Sequence, residues 1–282
     1  LIRVSASTAV PPTESSPWAS CALLRSRIPG TLRPMRHREP AICLRTTDFS
    51  ETSQVVTFLT RGQGAARLLA KGTKRPKSKS GGAIDLLAEG DLVYIDHASG
   101  ALGTLVEFSE TVSRAALRRD ARRLNVALYM IEMAGEMVAE GDPHPEVFDL
   151  LDKGLARMGD ADAPVSAVLA YFQCRLLRHV GLLGDLRACI SCGSAVAQTS
   201  NRNMHFSSRQ GGMLCAACEG VEAEKHRITP ATLAGLAALA AAQTGVKVAL
   251  PDNQARGVNR LLAYHASQQL GKKLKMARHA IE

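Results

Sequence analysis

The sequence predicts an α+β chain of several domains: an N-terminal OB-fold β-barrel, then an all-α helical domain carrying an inserted four-cysteine zinc ribbon. Three observations predict it. Five short β-like runs separated by turn signals crowd into residues 41–111. Beyond about residue 112 the apolar spacing lengthens to three- and four-residue steps, the helical period. Two C-x2-C pairs then interrupt the helical part.

Residues 1–38 are rich in Ser, Pro and Arg, hold Glu14 as the sole acid before Glu39, and show no apolar period. Such a composition is expected to stay disordered. The segment lacks the apolar helical face of a transit peptide and the apolar core of a secretory signal. With Met35 standing just ahead of the structured pattern, an over-extended N-terminus is expected.

The β-like runs are 41–45, 54–60, 65–71, 91–97 and 102–111, punctuated by Arg61-Gly62-Gln63-Gly64, Gly81-Gly82 and Ser99-Gly100. So few short strands would expose unpaired edges, which closure into a barrel removes, so an OB domain is expected over 39–112. In the first helix Leu124, Ala127, Met130, Ile131, Ala134 and Met137 share a face. Val147, Leu150, Leu151, Leu155 and Met158 do the same in the second. Pro164 is read as the first-turn proline of a third helix that buries Val168, Leu169, Phe172, Leu176, Leu177 and Val180. Thr229 is the expected N-cap of an Ala/Leu-rich helix reaching about residue 243, and a last helix over about 253–271 buries Val258, Leu261, Leu262 and His265. The helical domain thus spans 113–186 and 221–282, around a metal-binding insertion at 187–220.

Cys189-Ile190-Ser191-Cys192 and Cys215-Ala216-Ala217-Cys218 have 22 residues between them. Two thiolates from each tight turn can surround Zn²⁺ tetrahedrally, and four protein ligands leave no position for a reacting water, so the ion would be structural. Two coincidental pairs or a redox dithiol are the other readings of this spacing. His205 lies between the pairs and could replace a cysteine, although four thiolates already complete a site. The scattered Cys21, Cys43 and Cys174 suit a reducing, cytoplasmic compartment better than a disulfide framework.

A net charge of +9 favours a polyanionic partner, and the cations cluster. Lys71, Lys74, Arg75, Lys77 and Lys79 occupy KGTKRPKSKSGG, a loop whose Gly, Pro and Ser residues let several cations follow a phosphate backbone without a fixed register. Arg114, Arg118 and Arg122, with Arg119 and Arg123, form a second group where barrel meets helix, and helical spacing is expected to set Arg118 beside Arg122 and Arg119 beside Arg123. Base stacking needs aromatic side chains, and the barrel offers only Phe49, Phe58, Tyr94 and Phe108, so phosphate binding with little sequence preference is expected. No run of eighteen apolar residues exists, which argues against a membrane helix.

Catalytic motifs are not found. Gly62-Gln63-Gly64-Ala65-Ala66-Arg67 opens like a dinucleotide fingerprint but ends in Arg and precedes a strand, and Lys71-Gly72-Thr73 lacks P-loop order. No G-x-S-x-G or H-E-x-x-H occurs. A non-enzymatic protein is expected.

The stretch AICLRTTDFSETSQVVTFLTRGQGAARLLAKGTKRPKSKSGGAIDLL resembles the N-terminal OB domain of the RecO family of bacterial recombination mediators, with its T-R-x-x-G strand end and its AKGARRPKS loop. LLRHVGLLGDLRACISCGS, FSSRQGGMLCAAC and the closing LLAYHASQQLGKKLKMARHAI resemble the family's zinc-loop and C-terminal motifs. Gly184 stands where the family usually has proline, Met276 where it usually has serine, and the long head has no counterpart. The resemblance implies binding of single- and double-stranded DNA, annealing of complementary strands, pairing with RecR, and help in loading RecA onto strands coated with single-stranded-DNA-binding protein (SSB). It places DNA contacts on Lys71, Lys74, Arg75, Lys77 and Lys79, and the acidic SSB tail on the helical domain. Two other classes stay open: an adaptor that binds RNA or protein through the ribbon, and a zinc-ribbon NAD-dependent deacylase, whose nucleotide motif is missing here.

Overall fold

A computed structural model describes residues 35–75, 82–97, 102–196, 204–242 and 249–281. The expected tail over 1–34, and Lys77 and Lys79 of the basic loop, lie outside the described residues.

Five strands close a barrel in the order β1-β2-β3-β5-β4: β1 Met35–Asp48, β2 Gln54–Thr60, β3 Gly64–Ala70, β4 Glu89–Asp96 and β5 Gly103–Val112. The β3–β5 pair is parallel and the other pairs are antiparallel, the connectivity of an OB fold. β1 serves two neighbours. Its first part pairs with β4 and its second with β2, across a register shift between Cys43 and Arg45. The strand begins at Met35, so residues 35–38 belong to the barrel, a correction to the boundary expected at 39. The period gave no sign of this because Met35 and Arg36 are exposed, leaving no apolar alternation to detect.

Residues 41–44 are all buried because both faces of β1 are covered. Ala41 and Cys43 turn inward onto Phe58, Leu92 and Phe108, whereas Ile42 and Leu44 join the core of the helical domain. Burial drives the Cys43 thiol far above its ordinary range, so it stays neutral and inert.

After a 3₁₀ turn, Ala115–Arg119, follow α1 Ala121–Met137, α2 Pro145–Gly159 and α3 Val165–His179. Then come a three-stranded sheet, of β6 Met204–Ser207, β7 Gly212–Leu214 and β8 His226–Ile228, and the helices α4 Pro230–Ala241, α5 Asp252–Leu270 and α6 Ala277–Ala280. Thr229 caps α4 as expected, its hydroxyl accepting from the Thr232 N–H at 3.2 Å. Pro164 is the residue before α3 rather than within its first turn. The helical core is sewn by buried polar groups as well as apolar contact. Tyr129 on α1 donates to Gln173 on α3 at 3.1 Å, Gln173 donates to Asn259 on α5 at 2.9 Å, and Asn259 donates to the Ser166 carbonyl at 2.9 Å.

Besides the apolar contact of β1, three features among the described residues help fasten the barrel to the helices. Arg61 donates through Nε and Nη2 to both oxygens of Asp149 on α2, at 2.9 and 3.1 Å. Gly64 sits at φ +69°, and a Cβ there would lie 2.2 Å from the Asp142 carbonyl oxygen, so only glycine permits this approach. Thr60 meanwhile donates to the Gly64 carbonyl at 2.8 Å. The T-R-x-x-G motif is thus a docking element between barrel and helices. The third fastening is Arg114, described below.

Candidate metal centre and nucleic-acid interface

The metal ligands come from two turns. At the first, the Gly193 N–H donates to the Cys189 carbonyl at 2.8 Å with Gly193 at φ +73°, and the Cys189 N–H donates to Ser194 O at 2.8 Å. At the second, the N–H groups of Cys218 and Glu219 donate to the Cys215 carbonyl at 3.1 and 3.0 Å. An isolated bridge between Cys189 and Met213 brings the turns together.

The four sulfurs of Cys189, Cys192, Cys215 and Cys218 lie within 4.8 Å of one another. Cys192 Sγ and Cys215 Sγ are 3.7 Å apart, close to the roughly 3.8 Å edge of a tetrahedron with metal–sulfur bonds of about 2.3 Å. Hydrogen bonds from Ser194 draw the Cys192 thiol down to about 6, so one thiolate forms readily. Cys218 is pushed up to about 12, first by its sulfur neighbours Cys192 and Cys215. The residues fit a structural ion with no open position.

His205 does not join the ligands: its Nδ1 pairs with Glu219 Oε2 at 2.6 Å. Small residues let the hairpin pack closely on the first cysteine turn and on the loop after α3. A Cβ on Gly212 would fall 2.7 Å from Ile190 Cβ, and one on Gly211 2.3 Å from the Leu182 carbonyl oxygen. Buried Phe206 meets His265 of α5 edge-on at 5.3 Å. Gly184 donates its N–H to Gly211 O at 2.9 Å, a bond the proline usual in the family could not make.

Among the basic residues, Lys71 and Arg75 are exposed where β3 ends, with no ion-pair partner among the described residues. Lys74 is half-buried and pairs with Asp48 at 2.6 Å. Gln54 anchors both ends of the basic loop: its Oε1 accepts from Thr73 Oγ1 at 3.3 Å and from the Ile84 N–H at 3.0 Å, while its Nε2 donates to Ile84 O at 3.4 Å.

The second arginine group differs from expectation. Arg114 is buried between barrel and helices: its side chain is 6% exposed, and its Nη2 donates to Glu89 of β4 and to Asp152 of α2, the latter at 2.8 Å. Arg118 pairs with Asp85, and Arg122 donates to Ser166 Oγ at 2.8 Å. Arg118 and Arg122 do not share a helix, since the 3₁₀ turn stops at Asp120, whose extended backbone and side chain cap α1 by accepting from the Arg123 N–H. Arg123 closes the C-terminus of α2, donating to the carbonyls of Met158, Asp160, Ala161 and Ala163 at 2.5–3.2 Å. A cation suits carbonyls gathered at and just beyond a helix C-terminus. Gly62 and Gly64 lie at a hairpin followed by strand, and no strand–helix nucleotide cradle is built there, which removes support for the deacylase reading.

Fold and site together define an OB-barrel protein with a helical domain and an embedded cluster of four cysteines that could hold a metal ion. The model described as "Recombination protein O N terminal" matches residues 35–113, and "Recombination protein O C terminal" matches residues 118–278. Curated relatives called DNA repair protein RecO include that of Rhodopirellula baltica, 36% identical over 67% of this chain and 68% of its own length. Those of Myxococcus xanthus (30% identical, covering 85% of this chain and 95% of the relative) and Anaeromyxobacter dehalogenans strain 2CP-C (32%, 81% and 91%) are also similar. The chain belongs to the RecO family. No helix among the described residues is long and apolar enough to cross a membrane.

Proposed function

We propose that this chain is a non-enzymatic, cytoplasmic recombination mediator that grips the sugar-phosphate backbone of single- and double-stranded DNA beside its barrel, with Zn²⁺ as the ion of the ribbon. The observation that carries the reading is the exposed charge of Lys71 and Arg75, without an ion-pair partner among the described residues, beside the barrel's β1–β2 turn, a loop position at which OB folds bind oligonucleotides. Lys77 and Lys79 extend the same loop and are proposed to add to it; Lys74, Arg118 and Arg122 are peripheral, given their protein partners. Many phosphate contacts without base readout offset repulsion between two strands while leaving base edges free to pair, which is the physical requirement for annealing. Family membership supports the remaining steps: pairing with RecR, contact with the SSB tail, and assistance to RecA on SSB-coated strands.

The test is ATP-free annealing of SSB-coated complementary oligonucleotides, together with single-strand affinity across a salt series. For the double variant K71E/R75E we expect annealing to fail and the salt slope to fall by roughly 1.4, at about 0.7 per phosphate contact. An unchanged affinity and slope would overturn the assignment.

A further inference from the structure

The barrel's four aromatic residues have separate fates. Phe58 and Phe108 fill the interior with ring centroids 5.1 Å apart, and Tyr94 is buried and stacked on His37 at 4.9 Å. Phe49 alone among them faces solvent, 62% exposed. It lines a concavity of about 330 Å³ with Thr52, Ser53, Leu69, Lys71, Gly72 and Arg75. A singly exposed aromatic is ordinary on a protein surface; what points to a ligand is that Phe49 shares a concavity with Lys71 and Arg75.

The surface is built rather than loose. The Phe49 N–H donates to Ser53 O at 3.0 Å, the Lys74 N–H to Thr52 O at 3.2 Å, and the Gly72 N–H to Ser53 Oγ at 3.3 Å. The Lys74–Asp48 pair, at 2.6 Å, ties the turn bearing Phe49 to the turn bearing the cations. That pairing spends Lys74 on structure, so Lys71 and Arg75 carry the open positive charge around the ring.

An aromatic side chain that shares a concavity with two cations having no ion-pair partner among the described residues matches a nucleotide in a single strand, which offers a flat π-face and flanking phosphates together. The volume sits at the low end of the roughly 300–1,000 Å³ typical of small-molecule pockets. A duplex keeps its base faces stacked inside and cannot supply one. We infer that this pocket holds one unstacked nucleotide of single-stranded DNA, its base on Phe49 and its neighbouring phosphates on Lys71 and Arg75. The inference rests on the DNA-binding reading above and adds to it a contact that only single strands make. It amends the expectation of purely phosphate-directed binding.

The experiment uses the intact, metal-loaded chain, a thymidine oligomer and an abasic oligomer of equal length, read by fluorescence anisotropy over a salt series. A 2-aminopurine-bearing strand reports stacking. We expect Phe49→Ala to weaken thymidine-oligomer binding roughly 5- to 100-fold, the range for losing one stacked base. Its abasic-strand affinity and salt slope should match the parent, Phe49→Trp should restore binding, and 2-aminopurine quenching should be lost only in Phe49→Ala. If F49A binds the thymidine oligomer like the parent while K71E/R75E does not, the stacking inference fails and the DNA reading survives. Equal losses on both strands overturn it too, by showing that Phe49 supports the turn rather than a base. If the parent binds neither strand, the DNA reading itself is lost.

Discussion

Replacing Arg114 with methionine should destabilise the protein by about 3 kcal/mol without weakening its grip on DNA. The Arg114 side chain is 6% exposed and Glu89 is 14% exposed, so removing the cation strands a carboxylate in a poorly hydrated place. Breaking a buried pair from one side costs about 3–5 kcal/mol. The lower end applies because Asp152, 38% exposed, can turn to water. At about 2–4 °C per kcal/mol for a chain of this size, the melting temperature should drop by roughly 6–12 °C. The deficit should depend on pH. Glu89 already titrates above its ordinary value because burial outweighs the bonds from Arg114. The folded state therefore holds this proton more tightly than the unfolded chain, and the stability it contributes is lost as pH rises through the folded pKa. Without Arg114 that pKa climbs further, so the variant should be weakest at neutral pH and approach the parent in mild acid. Adding Glu89→Gln should restore most of the loss at neutral pH by removing the stranded charge. Urea unfolding at both pH values, with DNA affinity measured well below the melting temperature, checks all of this. A variant as stable as the parent but weakened in DNA binding would refute the reasoning and return Arg114 to the interface.

Two further outcomes are expected. Chelation, or Cys215→Ser, should release one zinc per chain and expose residues 187–228 to proteolysis, since ion binding worth about 10–16 kcal/mol holds such loops together; zinc analysis and limited digestion on one preparation decide it, and a metal-free protein with a protease-resistant ribbon would contradict it. His265 is held below its ordinary pKa first by burial, against the pull of its bond to Leu182 O. Its folded state thus binds fewer protons, so stability is lost as pH falls through the unfolded imidazole range near about 6.5. Unfolding midpoints of the parent and His265→Gln across that range should differ in slope, and parallel curves would exclude His265 as a cause.

The sequence revealed most about the elements whose signals are local. Residues 54–60 are read as a strand at the same bounds the structure shows, and Thr229 as a cap, because turn residues and an N-cap followed by proline act within a few positions. The clustering of the four cysteines was legible for the same reason, since each C-x2-C turn is self-contained. Arg114 was misread because its partners lie 25 and 38 residues away, a distance that no local pattern spans. Asp120 is a different case: a helix-capping residue directly before an apolar-periodic run is a local signal that could have located the start of α1. Phe49 needed the barrel itself, since nothing in a string of letters says which aromatics an interior will claim.

The clasp at the chain's far end sets an order of events. Glu132 on α1 accepts the backbone N–H groups of Lys275 and Met276 at 2.7 and 2.8 Å, across up to 144 positions of sequence, and Lys272 binds Glu136 at 2.6 Å. The barrel, by contrast, draws its strands from residues 35–112 alone. A polypeptide emerging from the ribosome can therefore finish its barrel early, while α1 waits, one flank bare, for almost everything that follows it. Pulsed hydrogen exchange during refolding should show amides of β2 and β4 protected before those of α1, and chaperones would meet this molecule chiefly in that half-finished interval.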